Sequence, residues 1–399
     1  MRNPKGNFPP VELEIQRSAF GGDGIAFLEG QTCFVQGALP GECVEAELVQ
    51  QKKEFLRFRA LRVIESSPHR VTPPCEHYGV CGGCQYQHVD YPEELRLKSS
   101  QLAEVLHKIG GVQADIQPVV HGEKHYGYRG SATFHLQRTG RGKTQKLCFV
   151  AQDNVSKIPV KSCMLLTESL QQVFVRPLSS TGEGGKISLK IDEKNRLVSD
   201  EREIFFRVRL LDQSLVVNSK AFFQNNLAVT ELLCRQLSSW IRASNPSVFY
   251  DLYAGVGTFS ILCAQKVGRV ICVEENPYAV SALRMNREEK MNAIEIFPGK
   301  AENIFPSSWE KENPDNALVL MDPPRQGLDK SLAGFLGERC RAKAIIYVSC
   351  DMATLARDLK IILHGDCWLV GEIVPFDMFP RTKHLEAAVL LVPKRRTRE

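Results

Sequence analysis

The chain has 399 residues, enough for two or three domains, and its 43% apolar and 24% charged content is that of a soluble globular protein. No apolar run reaches the roughly 18 to 20 residues a membrane helix needs, and residues 1–10 lack the apolar core of a secretion signal, so a cytoplasmic protein that does not enter the membrane is expected. The net charge of +5 says little by itself, but 13 cysteines, an odd number without a secretion signal, speak against a full disulfide framework and for thiols that hold a metal or do chemistry.

Residues 1–66 read as short strands split by turns: period-two alternation from Val11 to Ile15, the turn Gly21-Gly22-Asp23-Gly24, strands at 33–35, 44–49 and 56–64, and the turn Leu39-Pro40-Gly41-Glu42. That spacing predicts a small β-barrel, closed by a linker at Ser66-Ser67-Pro68. Residues 67–218 form a central α+β segment. A helix over 93–109 presents Leu95, Leu102, Leu106 and Ile109 on one face, and strands and hairpins follow Tyr128, one with a basic tip at 139–143. From 219 to 399 helix and strand alternate. Val229, Leu233, Leu237 and Ile241 step along a helix, and strands fall at 248–252, 269–273, 294–297, 317–321, 344–348 and 368–374. This is the pattern of a doubly wound, Rossmann-like α/β sheet, whose ligands bind beyond the carboxyl ends of the strands. Basic clusters at 52–62, at Arg138, Arg141 and Lys143, and in the tail at Lys394, Arg395, Arg396 and Arg398 point to a polyanionic partner.

The chemistry-bearing residues sit at those strand ends. In Asp251-Leu252-Tyr253-Ala254-Gly255-Val256-Gly257 a strand enters a tight Gly-X-Gly turn, and Ser260 stands where a dinucleotide fingerprint wants its third glycine. The aspartate and bulky turn suit a methyltransferase cofactor loop, and Glu274, ending the next strand, can accept both ribose hydroxyls. In Asp322-Pro323-Pro324-Arg325 the prolines stiffen a loop that can face a planar base. Cys350 ends a later strand, and Glu386 opens the last apolar one, where burial raises a carboxyl's pKa. A thiolate adding to carbon 6 of uracil activates carbon 5 toward a methyl donor, and a carboxylate then removes the carbon 5 proton. His384 is either an orienting group or a surface imidazole, while Cys263 and Cys272 lie in apolar runs and read as core. Cys75, Cys81, Cys84 and Cys163 suit an iron–sulfur cluster or a structural zinc; Cys163 lacks the paired cysteine of a zinc ribbon, which favours [4Fe–4S]. An NAD-dependent oxidoreductase with a cluster and a non-catalytic RNA-binding protein are the competing classes; Ser260 speaks against the first, Cys350 with Glu386 against the second.

Taken in order along the chain, these motifs resemble the bacterial iron–sulfur 5-methyluridine RNA methyltransferases. The resemblance implies a TRAM barrel at 1–66, S-adenosylmethionine as methyl donor, and a monomer without membrane contact; it aligns the cluster ligands with Cys75, Cys81, Cys84 and Cys163. It likewise aligns the cofactor residues with Gln224, Tyr253, Gly255, Glu274 and Asp322, the nucleophile with Cys350 and the base with Glu386. Thr258 and Gly130 stand where many members have asparagine. The combination of a TRAM barrel with a cluster implies 23S rRNA as the target, with the tRNA T-loop as the alternative.

Overall fold

The computed structural model describes residues 9–139, 144–175, 185–288, 293–312, 314 and 316–394. The side chain of Arg138, the hairpin tip at 140–143 and the tail residues Arg395, Arg396 and Arg398 lie outside the described residues. The chain divides into two compact units. One comprises Met1–Gln101, Cys148–Met164 and Phe379–His384; the other comprises Leu102–Leu147, Leu165–Met378 and Leu385–Glu399.

In the first unit a six-stranded sheet is built from Val11–Glu14, Arg17–Ser18, Gly24–Leu28, Gln31–Gln36, Cys43–Gln51 and Phe55–Glu65. Alternate side chains turn inward, so Leu13, Ala26, Val35, Val44 and Phe58 make one buried core. Most pairs are antiparallel, but Gln31–Gln36 runs parallel to Phe55–Glu65, which lets one long strand join both halves of the sheet. The basic run on that strand is not a free cationic stripe. Arg59 pairs with Glu47 and Arg62 with Glu45, as cross-strand neighbours on a pleated surface do, and Arg57 pairs with Asp23 of a turn.

The first unit also takes in a late segment, Phe379–His384. Arg381 adopts φ +67 and is buried. Its carbonyl accepts from the amides of Gln85 at 3.0 Å and Tyr86 at 3.1 Å. Its own amide donates to Glu94 at 2.7 Å, and its guanidinium to the Val89 carbonyl at 2.9 Å. Glu94 is further paired with the buried Lys98 at 2.8 Å, and Lys98 donates to the Phe379 carbonyl at 3.2 Å. A buried charge needs such pairing, because an unpaired one is strongly destabilising.

The predicted helix over 93–109 is an α-helix at Tyr91–Val105 continued by a π-helical turn at Leu106–Gly110, which ends on Gly111 at φ +66. The wider turn breaks the 3.6-residue step, so Leu102 and Leu106 are buried while Ile109 is exposed.

The core of the second unit is a seven-stranded sheet. Its strand order in space is Ala293–Pro298, Arg269–Glu274, Val248–Leu252, Ala317–Met321, Ala344–Ser349, Glu386–Pro393 and Trp368–Phe376. The first five run parallel, and the inner strands Val248–Leu252, Ala317–Met321 and Ala344–Ser349 are buried almost throughout, as strands covered on both faces are. Glu386–Pro393 inserts antiparallel between Ala344–Ser349 and Trp368–Phe376. Helices Leu227–Ser244, Thr258–Cys263, Pro277–Glu288, Ala301–Glu312, Lys330–Glu338 and Met352–His364 alternate with the strands. The outer strand is itself partly covered, since the Gln117 and Val120 amides donate to Ile373 and Pro375.

Candidate active site

The loop after Val248–Leu252 takes three positive φ angles, at Tyr253 (+64), Gly255 (+56) and Gly257 (+87). A tyrosine in the left-handed region is strained, and such strain persists where the surroundings hold it. At Gly257 a Cβ would overlap Leu283 of the facing helix, so glycine is required there twice over. Ser260, in place of a third glycine, holds the strand-end acid: its amide donates to Asp251 at 3.1 Å and its hydroxyl bonds the same oxygen. The other Asp251 oxygen is buried and has no partner among the described residues. Glu274 accepts from the Gly255 amide at 2.8 Å and the Asn276 amide at 2.7 Å, which fixes its carboxylate beside the loop.

Asp322 ends the strand next to that of Asp251, in the register that pairs Leu252 with Met321. Burial, and then the charge of Asp251, push Asp322 up to about 7. Asp251 is likewise raised to about 7 by burial, against the hydrogen bonds from Ser260. Two buried carboxyls at neighbouring strand ends favour a cationic ligand beside them. S-adenosylmethionine offers a sulfonium and an ammonium, so this donor set fits it, with Tyr253 and Gly255 lining the turn and Glu274 available to hydroxyls.

The last strands bring the two catalytic candidates together. Ser349 pairs with Ala387, and one further step of that antiparallel register sets Cys350 against Glu386. Glu386 is 5% exposed, and burial, with Asp322 adding to it, raises its carboxyl well above the usual range. Cys350 is half-buried and its thiol is pushed up to about 12, by burial first and then by Glu386 and Asp322. Asp351 caps the following helix through the amides of Ala353 at 3.1 Å and Thr354 at 2.9 Å. A helix N-terminus favours a thiolate, but here burial and the acids outweigh it. The positive charge of Arg325 opposes both shifts.

Sequence reading gave no role to the residue that braces this corner. Asp358, buried on Met352–His364, accepts from the Leu328 amide at 2.8 Å and the Tyr347 hydroxyl at 2.7 Å. Its neighbour Arg357 donates to the Gln326 carbonyl at 2.8 Å. The loop after Asp322-Pro323-Pro324-Arg325 is thereby tied to the helix after Cys350. An acid on the apolar face of that helix was the only signal. Gln224 stands apart: it lines a cavity that none of Tyr253, Gly255, Glu274, Asp322, Cys350 or Glu386 lines. His384 is half-buried, with its ring edge-on to Phe379.

In the first unit Cys75, Cys81, Cys84 and Cys163 are all half-buried and not in disulfides. The Cys84 thiol is raised to about 12 by burial and then by Cys163, Cys81 and Cys75, which puts those three sulfurs within electrostatic reach of it. Among the described residues no three ligands close on a single ion.

Residues 184–394 match the family described as tRNA (Uracil-5-)-methyltransferase, and residues 10–61 match the TRAM domain. An uncharacterized RNA methyltransferase of Clostridium tetani is 29% identical over 434 aligned positions, covering 93% of this chain and 93% of that protein. The Pseudomonas putida protein named 23S rRNA (uracil(1939)-C(5))-methyltransferase RlmD is 28% identical and covers 95% of this chain and 92% of its own. In fold, the chain is similar to the Pyrococcus abyssi tRNA (uracil-54, C5)-methyltransferase solved with S-adenosyl-L-homocysteine, with TM-score 0.70, 23% identity, and coverage of 96% of this chain and 100% of that one. The family profile spans more than half of the chain, over the residues that carry the acidic cofactor loop, Cys350 and Glu386. The chain therefore belongs to the tRNA (uracil-5-)-methyltransferase family and is an S-adenosylmethionine-dependent RNA uracil-C5 methyltransferase.

Proposed function

We propose that the protein methylates carbon 5 of a uridine in 23S rRNA through a covalent adduct on Cys350. The observation that carries this reading is the facing of Cys350 and Glu386, one step beyond the Ser349–Ala387 pair. S-adenosylmethionine, when bound, supplies an electrophilic methyl group. The Cys350 thiolate adds to carbon 6 of uracil, and the electron pair of the carbon 5–carbon 6 double bond passes to the enolate at O4. Carbon 5 then takes the methyl and carries both methyl and hydrogen. Glu386 removes that proton, the double bond re-forms, and the thiolate leaves carbon 6. A carboxyl with a raised pKa is a stronger base once ionised, which suits a carbon-bound proton. Arg325, whose charge lowers the pKa of both groups, offsets the charge on the thiolate.

Gln224, Tyr253, Gly255, Glu274 and Asp322 hold the methyl donor in this reading. Cys75, Cys81, Cys84 and Cys163 hold a [4Fe–4S] cluster, which when bound supplies a cross-link of four chain positions. We assign 1–66 to a TRAM-like barrel, 67–218 to the central segment and 219–399 to the methyltransferase domain, in a cytoplasmic monomer. The rRNA target follows from the name of the Pseudomonas putida relative. The tRNA T-loop is the second reading, favoured by the family description and the Pyrococcus abyssi structure. Deleting the gene and mapping lost 5-methyluridine separates them: loss from 23S rRNA alone supports the first, and loss from tRNA alone overturns it.

A further inference from the structure

We infer that the cavity bordered by Tyr128, Phe206 and Phe223 is a nucleotide site that takes an unstacked base of the substrate RNA beside the target uridine.

The cavity lies wholly within the second unit and has a volume of about 760 Å³. That is in the range of pockets for nucleotide-sized ligands. Its three aromatic residues are each less than a tenth exposed, so they form a rigid apolar wall. Its charged residues divide in an informative way. Three of its four acids are engaged by the protein: Asp192 accepts from the amides of Lys194 and Arg196 and from the Arg196 side chain, Glu231 from the Leu211 amide, and Glu193 from the Ser214 hydroxyl; the fourth, Glu123, is exposed. Lys124, Arg209 and Arg235 are exposed at the same cavity, and among the described residues they have no ion pair. An aromatic wall with unpaired cations at its edge matches a base and its phosphate, the combination by which proteins hold single-stranded nucleic acid.

Two observations favour RNA over a free nucleotide. Gln224, assigned above to the methyl donor, lines this cavity too. Two residues on, Asn226 donates to the Met378 carbonyl at 3.3 Å, just beyond the strand Trp368–Phe376 whose Phe376 pairs with Glu386. The cavity is thus built on the same frame as the catalytic pair. A flipped uridine leaves neighbours that must also be accommodated, and unstacking them is part of the cost of exposing the target.

This inference rests on the reading of the chain as an RNA methyltransferase, and its test keeps the two apart. Ala228 is exposed on helix Leu227–Ser244 and lines the cavity, so Ala228→Trp fills the space without touching the core. Arg209→Ala/Arg235→Ala removes the phosphate contacts. Each variant should raise KM for RNA about tenfold, the size of one lost base stack, with kcat, S-adenosylmethionine Kd and Tm unchanged. RNA with 5-fluorouridine at the target and 4-thiouridine next to it should photocross-link to peptides containing Tyr128 or Phe223. Wild-type KM in both variants, with cross-links only elsewhere, overturns the site. Binding of free AMP or UMP that Ala228→Trp abolishes, with KM for RNA unaltered, overturns it as well. Failure of the wild type to trap 5-fluorouridine RNA would instead indict the methyltransferase reading.

Discussion

Gly257→Ala tests whether the cofactor loop is held by the close approach of its backbone to a neighbouring helix. Gly257 has φ +87, and an added Cβ would fall well inside contact with Leu283 Cδ1 and 3.3 Å from Ile261 Cγ1. The left-handed backbone costs an L-residue roughly 1–2 kcal/mol, and overpacking a filled core about 1–3 kcal/mol. The expected loss is their sum, about 2–5 kcal/mol, against a typical total stability of about 5–15 kcal/mol. All three tryptophans, Trp240, Trp309 and Trp368, are buried in the second unit, so urea unfolding followed by tryptophan fluorescence reports this unit selectively. Leu283 is fully buried, and Leu283→Ala alone should cost about 2–5 kcal/mol. In the double variant the vacated space receives the new methyl, so the double loss should fall short of the sum of the singles by about 1–3 kcal/mol. S-adenosylmethionine binding, measured by calorimetry, should weaken in Gly257→Ala and recover partly in the double variant. Strict additivity would refute the packing argument and leave only the backbone angle.

Four further outcomes are expected. Cys350→Ala should form no adduct and transfer no methyl, whereas Glu386→Gln should accumulate methylated RNA bound to protein as a slow band on a denaturing gel; turnover by Glu386→Gln without adduct would move the base elsewhere, His384 being the next residue to test. Because the Cys350 thiol is raised to about 12, its ionised fraction grows with pH through the whole accessible range, so trapping of 5-fluorouridine RNA should accelerate about tenfold per unit from about pH 7 to 9; a plateau near 8.5, the ordinary value, would contradict the raised thiol. Arg325→Gln removes an opposing cation and should slow trapping at fixed pH, with wild-type rates as the contrary result. Anaerobically purified protein should be brown, with about four irons per chain, and Cys84→Ser should lose them; colourless protein with one tight zinc would replace the cluster by a single ion.

The alternation of helix and strand after Lys220 was legible because parallel strands buried on both faces are continuously apolar, as in Ala317–Met321. The Gly-X-Gly loop was legible because its chemistry is local. The facing of Cys350 and Glu386 was not: it depends on Glu386–Pro393 inserting antiparallel between two strands, and no residue in either segment announces its partner. The ion pairs of the basic strand were not legible either, since the acids that pair with Arg59 and Arg62 lie on another strand at Glu47 and Glu45. The π turn at Leu106–Gly110 escaped because a helical periodicity cannot register one residue added to a turn. Asp358 escaped because its partners, Leu328 and Tyr347, are brought to it only by the packed sheet.

The clasp of Arg381 on Gln85, Tyr86 and Glu94 also has a chronology. A ribosome makes the segment with Cys75, Cys81 and Cys84 early, but the body that encloses it lacks a strap until residues 379–384 emerge. Until then Glu94 has Lys98 and lacks its second cation, and the carbonyl that receives the Gln85 and Tyr86 amides does not exist. Closing so long a loop is slow compared with forming the local strands. By the time the strap arrives, Cys350 has been made and Glu386 is five residues from Arg381. The unit that carries Cys75, Cys81 and Cys84 and the corner that carries Cys350 and Glu386 thus both wait on residues made close together in the chain, and a chain cut short before residue 379 completes neither.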